Sequence, residues 1–270
     1  MILLDKDTAP AFAGLYDGDI MECTDREHIS FGTFEERRAA SLIMLHQEDD
    51  AYYIDWIYTH PDFRGRGIAS RLLFQTMETI SQLVAVDELH VICPGEELRG
   101  FFESANFLFE DDTVGTLYSA ELQDMTKLPK REKSANCMHL SELGRKDLKI
   151  VNNVLYQAGD LADSVELPIA PEQYAECSYV CIKDHKLLGL MLFKQDSERS
   201  LDIAYALKAE GAEVPFLNML CTVREEVTTQ FPPETRVRTS ALNDASSALF
   251  EKLFPRARKE EIYSAWRLMA

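Results

Sequence analysis

The stretch HPDFRGRGIASRLL, residues 60–73, decides how this chain reads. Ahead of it, AYYIDWIYT (51–59) is rich in aromatic and β-branched residues and predicts a strand. Beyond it, GIASRLLFQTMETISQL (67–83) places apolar residues at 68, 72, 73, 77, 80 and 83, the spacing of one helical face. Between the two lies Arg64-Gly65-Arg66-Gly67. Glycine suits a place where the backbone turns sharply or approaches a ligand. A helix start offers unpaired N–H groups and a partial positive charge. Arginine matches phosphate oxygens. A strand, a glycine and arginine turn and a helix in that order therefore predict a pyrophosphate cradle.

Working outward, ISFGTFEE (29–36) and RAASLIMLHQ (38–47) predict two strands joined by a tight turn. ELHVICP (88–94) predicts a short buried strand, GEELRGFFESANF (95–107) a second helix and TLYSAEL (116–122) a last strand. Strands followed by helices in this order predict an α/β (α+β) layer around a mixed, mostly antiparallel sheet. A weak internal repeat accompanies it. Shifted by 147 residues, segment 37–58 lies on segment 184–205 without a gap, with IDWIY on LDIAY and Asp55 on Asp202. GFFESANF (100–107) lies near ALFEKLFP (248–255). MHLSELG (138–144) would match positions before Met1, so the first copy is expected to lack a first strand. The polar, basic stretch MTKLPKREKSAN (125–136) reads as a linker. The expected organisation is a domain over 1–126, a linker over 127–136 and a second domain over 137–270.

The chain holds 46 acidic and 28 basic residues, a net charge of −18. Residues 1–130 carry 25 acidic against 10 basic, residues 131–270 carry 21 against 18. Such a field disfavours nucleic acid and anionic membrane as partners. It keeps the protein soluble, and it suits a cationic substrate such as an amine. The six cysteines show no CxxC pair and read as reduced core thiols of a cytoplasmic protein. The start, MILLDKD, does not read as a secretory signal. No apolar run is long enough to span a bilayer. The scattered histidines give no metal-binding spacing, so no metal is expected.

The loop lacks the Lys-Ser/Thr of a phosphate-binding P-loop and the GxGxxG of a dinucleotide fold. It resembles the acetyl-CoA loop of the GNAT superfamily of N-acetyltransferases, Arg/Gln-x-x-Gly-x-Gly/Ala, here Arg64-Gly65-Arg66-Gly67-Ile68-Ala69. The preceding HPDFRG and the following SRLL also resemble that family, and the resemblance runs from about residue 29 to 122. It implies a GNAT fold, duplicated in tandem, with acetyl-CoA as co-substrate. Backbone N–H groups of residues 66–71, including Ser70 and Arg71, would hold the CoA pyrophosphate. The strand end Ile57, Tyr58 and Thr59 would pair with the pantetheine arm. A primary amine would attack the thioester directly after losing a proton.

Asp55 is the candidate base. Alternation along its strand puts it on one face with Tyr53, Ile57 and Thr59. The repeat leaves a second role open, since Asp202 suggests a carboxylate that only pairs within the fold. Many family members carry a tyrosine as general acid where this chain has Phe102, which cannot donate a proton. Tyr58 and Tyr118 are the candidate substitutes. In the second copy the loop position reads Gly211-Ala212-Glu213-Val214-Pro215, with Glu213 where Arg66 would face phosphates. That copy is therefore expected to be degenerate. A noncatalytic acyl-CoA-binding module stands as the alternative to an N-acetyltransferase.

Overall fold

The computed structural model describes residues 1–48, 51–83, 88–110, 113–129, 136–158, 165, 167–197 and 199–269. The chain packs as two units. One comprises Met1–Val114 with Glu261–Ala270, the other Gly115–Glu260. This division differs from the expected boundaries at 126 and 137, because the strand that closes each copy in sequence packs in the other unit.

The first unit contains β1 (Ile2–Leu3), β2 (His28–Glu35), β3 (Arg38–Glu48), β4 (Ala51–Thr59), α1 (Ile68–Leu83), β5 (Glu88–Pro94), α2 (Glu96–Ser104) and β6 (Leu108–Phe109). The second contains β7 (Gly115–Glu121), β8 (Cys137–His139), α3 (Arg145–Ala158), β9 (Tyr179–Lys183), β10 (Lys186–Ser197), β11 (Ser200–Lys208), α4 (Glu213–Gln230), β12 (Arg236–Ala241) and α5 (Asp244–Leu253). The last strand, β13 (Arg258–Leu268), enters the first unit from Glu261 on.

The first sheet runs β1-β2-β3-β4-β5-β13, and the second β8-β9-β10-β11-β12-β7. In each, one neighbouring pair is parallel, β4 with β5 and β11 with β12, and the remaining neighbours along these orders are antiparallel. The two orders correspond strand for strand. β13 completes the first sheet on β5 just as β7 completes the second on β12. The first copy also has its first strand, with Ile2 opposite Gly32 on β2, where the sequence repeat led to none being expected. What the second copy has in addition is the long helix α3. Its counterpart in the first copy is a pair of short 3-10 turns, Ala9–Leu15 and Ile20–Thr24.

The strands match their expected ranges because aromatic and β-branched residues alternate between two packed faces. On one face of the first sheet, Ile43, Leu45 and Ile54 meet Leu72, Leu73 and Ile80 of α1 and Phe102 of α2. On the other, Leu42 and Met44 meet Phe12 and Leu15 of the first 3-10 turn. Each such fully buried side chain contributes about 1.5–3 kcal/mol through removal from water. The second sheet is built alike. Leu201 packs with Met219 and Val223 of α4 and Phe250 of α5, while Leu190 and Leu192 pack on Val151 and Leu155 of α3. All six cysteines are buried, and none is in a disulfide. No helix among the described residues is long and apolar enough to cross a membrane.

Candidate active site

The site begins where two strands part. β4 and β5 pair in parallel through Ala51↔Glu88, Tyr52↔Leu89, Tyr53↔His90 and Ile54↔Val91, and there the pairing stops. Beyond Ile54 the strands diverge. A cavity of about 660 Å³ fills the opening, bounded by Asp55–Thr59 of β4, Ile92–Pro94 of β5 and Leu98 and Phe101 of α2. It extends to Arg64, Gly65 and the first residues of α1, Ile68, Ala69 and Ser70. Volume and lining are those of a small-molecule site.

Local chemistry shapes the loop at its mouth. His60 donates its N–H to the Ala40 carbonyl (2.9 Å), and its ring nitrogen accepts from the Asp62 N–H (3.2 Å). Pro61 then opens a 3-10 turn that buries Phe63 against Ala40 and Ile68. The carboxylate of Asp62 receives Arg38 at 2.9 Å, which holds its pKa below the ordinary value. The chain next reverses through Gly65 (φ +72°) and Gly67 (φ +68°), in the left-handed region that favours glycine. A Cβ at either position would meet nothing within 4 Å, so the space over both glycines is open. Arg71 is the first residue after them whose N–H closes a helical turn, onto the Gly67 carbonyl. Among the described residues, the N–H groups of Gly65 through Ser70 donate to no backbone acceptor. Six unpaired donors at a helix start and an open space above them fit a pyrophosphate.

The expected residues divide accordingly. Asp55, Ile57, Tyr58, Thr59, Arg64, Gly65, Gly67, Ile68, Ala69 and Ser70 all line the cavity. The side chains of Arg66 and Arg71 do not. They turn to the hairpin between β2 and β3, Arg66 to Glu36 (3.6 Å) and Arg71 to Glu35 (2.7 Å). Arg64 ties the loop to the strand end. Its Nε donates to the Thr59 carbonyl (3.1 Å), and its guanidinium lies 5.2 Å over the Tyr58 ring. Tyr118 is not brought to the cavity. It is buried in the second unit, where β7 pairs with β12, and its hydroxyl donates to Glu251 at 2.9 Å. Phe102 is fully buried between Phe101 and Phe107.

The environment of Asp55 corrects the alternation argument. Met44 pairs with Trp56 and Leu45 with Ile54, so Asp55 is the extra residue of a β-bulge. The bulge re-aims the next residues of the strand. Trp56 and Tyr58 pack on the face of Leu42 and Met44, and Ile57 on the opposite face. Asp55 therefore does not share a face with Ile57 and Thr59. Its Oδ1 meets His46 Nδ1 at 2.7 Å, and its Oδ2 lies 3.8 Å from His28 Nε2. His28 in turn meets Asp25 at 2.8 Å. These partners come from β2 and β3, and the cross-strand register that joins them cannot be read from spacing. In the second unit the bulged residue is Ala204, between Ile203 on Phe193 and Tyr205 on Leu192. Asp202 is thus not the counterpart of Asp55. It forms a two-pronged ion pair with Arg238, at 2.8 and 2.9 Å.

Cys93 also lines the cavity, a residue read from sequence as a plain core thiol. Burial pushes it up to about 11. Trp56, Glu97 and Phe101 also line the cavity without a prior sequence signal, and the buried Phe102 contributes to the lining as well.

The family model described as the acetyltransferase (GNAT) family matches residues 4–107. Residues 4–107 are thus similar to the GNAT family, and the chain as a whole has a GNAT-like fold. The likeness in fold extends over both units. A tandem GNAT protein from the clavulanic acid biosynthesis pathway superposes with a TM-score of 0.66 at 13% identity, covering 90% of this chain and 83% of its own. A putative acetyltransferase of Pyrococcus horikoshii gives 0.56 at 9% identity, covering 99% and 88%. A GCN5-related N-acetyltransferase of Sphaerobacter thermophilus gives 0.55 at 13%, covering 98% and 85%. No curated protein sequence is significantly similar to the chain. Both halves of the chain thus carry the GNAT-like fold, as the repeat suggested, and the first carries the glycine loop.

Proposed function

We propose that the protein is an acetyl-CoA-dependent N-acyltransferase whose first unit is the active one and whose acceptor is a primary amine, cationic before it reacts. The observation that carries this reading is the row of unpaired N–H groups from Gly65 to Ser70 opening into the same cavity as the β4–β5 gap. Bound acetyl-CoA would supply the activated acetyl thioester. The loop N–H groups would bind its pyrophosphate, with Arg64 adding charge at the mouth. The unpaired edge Asp55–Thr59 would offer backbone groups to the pantetheine amides, as one strand offers them to another.

Asp55 would take the proton of the acceptor ammonium at its Oδ2, while Oδ1 is held by His46. Two aromatic rings on its face, Trp56 and Tyr58, suit a cation. Tyr58 lines the cavity and makes no side-chain hydrogen bond among the described residues. It is thus the remaining tyrosine that could return a proton to the departing thiolate. Phe102, buried and unable to donate, favours the second reading, an acyl-CoA-binding module without turnover. Calorimetric titration with acetyl-CoA, followed by turnover over a panel of amines, tests the two. One site with turnover supports the enzyme. One site without turnover on any amine supports the module, and no site overturns both.

A further inference from the structure

The second unit has a cavity of its own, of about 630 Å³, between α4 and α5. It opens where β11 and β12 stop pairing after Asp202↔Arg238, the same strand geometry that opens the first site. What surrounds the opening differs. Eight residues, 60–67, join β4 to α1, and four, 209–212, join β11 to α4. The short connection leaves no room for a phosphate cradle. Its helix starts on Glu213, whose carboxylate pairs with Lys208 at 2.6 Å.

The walls are apolar, with Ile203, Phe216, Leu217, Leu220, Leu249 and Leu253 among them. The polar groups at the rim are largely engaged with each other. The Thr239 hydroxyl donates to the Ile203 carbonyl (2.9 Å). The Ser246 N–H donates to the Asn243 side chain and the Ser246 hydroxyl to the Asn243 carbonyl, both at 2.9 Å. Of the charged residues in the lining, Lys208 and Glu213 neutralise each other. Lys252 has no ion pair among the described residues. The site therefore offers apolar surface, one uncompensated ammonium and no place for a phosphate.

We propose that this cavity binds a small amphiphile with an aliphatic body and a single carboxylate, the chain against the leucines and the carboxylate on Lys252. Apolar walls with few oriented polar groups and a volume in the range of ligand pockets fit such a molecule. The acid at the helix start disfavours polyphosphates there.

The test is calorimetric titration of the full chain with decanoate, kept below micelle formation, and with decanol. One decanoate site is expected. Leu217→Trp, and separately Ala248→Trp, should abolish it by filling the cavity, with acetyl-CoA binding unchanged as the control for folding. Lys252→Gln should weaken decanoate about 3- to 5-fold, the range of an exposed ion pair, and leave decanol unaffected. The proposal is overturned if decanoate does not saturate. It is equally overturned if its binding survives both tryptophan variants, if acetyl-CoA displaces it, or if Lys252→Gln leaves decanoate binding as it was.

Discussion

Gly67→Glu carries two costs of different origin, and a partner substitution separates them. Gly67 has φ +68° and Gly211, ahead of α4, has φ +71°; a Cβ at either meets nothing within 4 Å. Sterically the two positions are equivalent. At each, a residue with a side chain is held in the left-handed region at about 1–2 kcal/mol. For a chain of this size that lowers Tm by a few degrees, roughly 2–4 °C per kcal/mol. The second cost arises only at Gly67. Its glutamate would stand beside the N–H groups of residues 65–70, where the proposed reading puts a pyrophosphate. Like charges roughly 5 Å apart at an effective dielectric of about 20 repel by about 3 kcal/mol. That corresponds to a loss of acetyl-CoA affinity on the order of 100-fold. Calorimetry at low and high salt should show the Gly67→Glu loss shrinking as salt screens it, while Gly211→Glu binds acetyl-CoA as the parent does. Gly67→Ala should show the backbone cost with a small change in affinity. If Gly67→Glu binds normally, or if Gly211→Glu loses as much, the assignment of the cradle to the first loop is refuted.

Asp55→Asn should lower kcat/KM for the acceptor by about 10²–10⁴, the contribution of a general base, with acetyl-CoA affinity unchanged; His46→Asn should reduce it less, since it removes only the partner at 2.7 Å. A fragment ending at residue 126 lacks β13, so β5 loses the partner it meets from Ile262↔Pro94 to Leu268↔Glu88, and the core loses the buried Tyr263 and Ala265. It should aggregate or stay unfolded by circular dichroism, and linking residues 258–270 to it should restore order. Cys93 is pushed up to about 11 from 9.0 by burial, so between those values the unfolded chain releases a proton that the folded one keeps. The stability this thiol contributes is full below pH 9 and lost as pH rises to 11. Denaturant midpoints at the two ends should show the loss, and Cys93→Ala should reduce it.

How much of this was legible depends on what each feature needs from the rest of the chain. The loop declared itself, because two glycines in positive φ and the helix after them are local properties of residues 64–83. β4 and β5 fell on their expected ranges for the same reason, a dense run of β-branched and aromatic side chains. Pairing is not local. The bulge at Asp55 exists because Met44 and Leu45 take up Trp56 and Ile54, and alternation along β4 alone wrongly kept Ile57 and Thr59 on the face of Asp55. The gap-free repeat matched Asp55 to Asp202 for a similar reason. Each strand pattern is right, but the two copies place their bulges at Asp55 and Ala204, two positions off the 147-residue shift. The strand exchange was the least visible feature. The stretch of β7 reads as the closing strand of the copy it ends, and nothing in its side chains says which β5-like edge it will meet.

The exchange also changes what a comparison of the two copies means. Since both sheets have the same strand order and both part beyond one short parallel pair, the opening itself is a property of the fold and says nothing specific about chemistry. Two small features do. One is the connection after the parting strand, long with two left-handed glycines in the first unit, short and led by Glu213 in the second. The other is the bulged residue, which lines the cavity in both, as Asp55 with its imidazole partner in one and as Ala204 in the other. A phosphate cradle without a proton acceptor would bind and not turn over; a proton acceptor without the cradle would have no acetyl donor beside it. The first unit brings a row of N–H groups without backbone acceptors and an imidazole-held carboxylate to one cavity, and the second has no counterpart of either at those positions, which is why the enzymatic reading is proposed for the first and a phosphate-free ligand for the second.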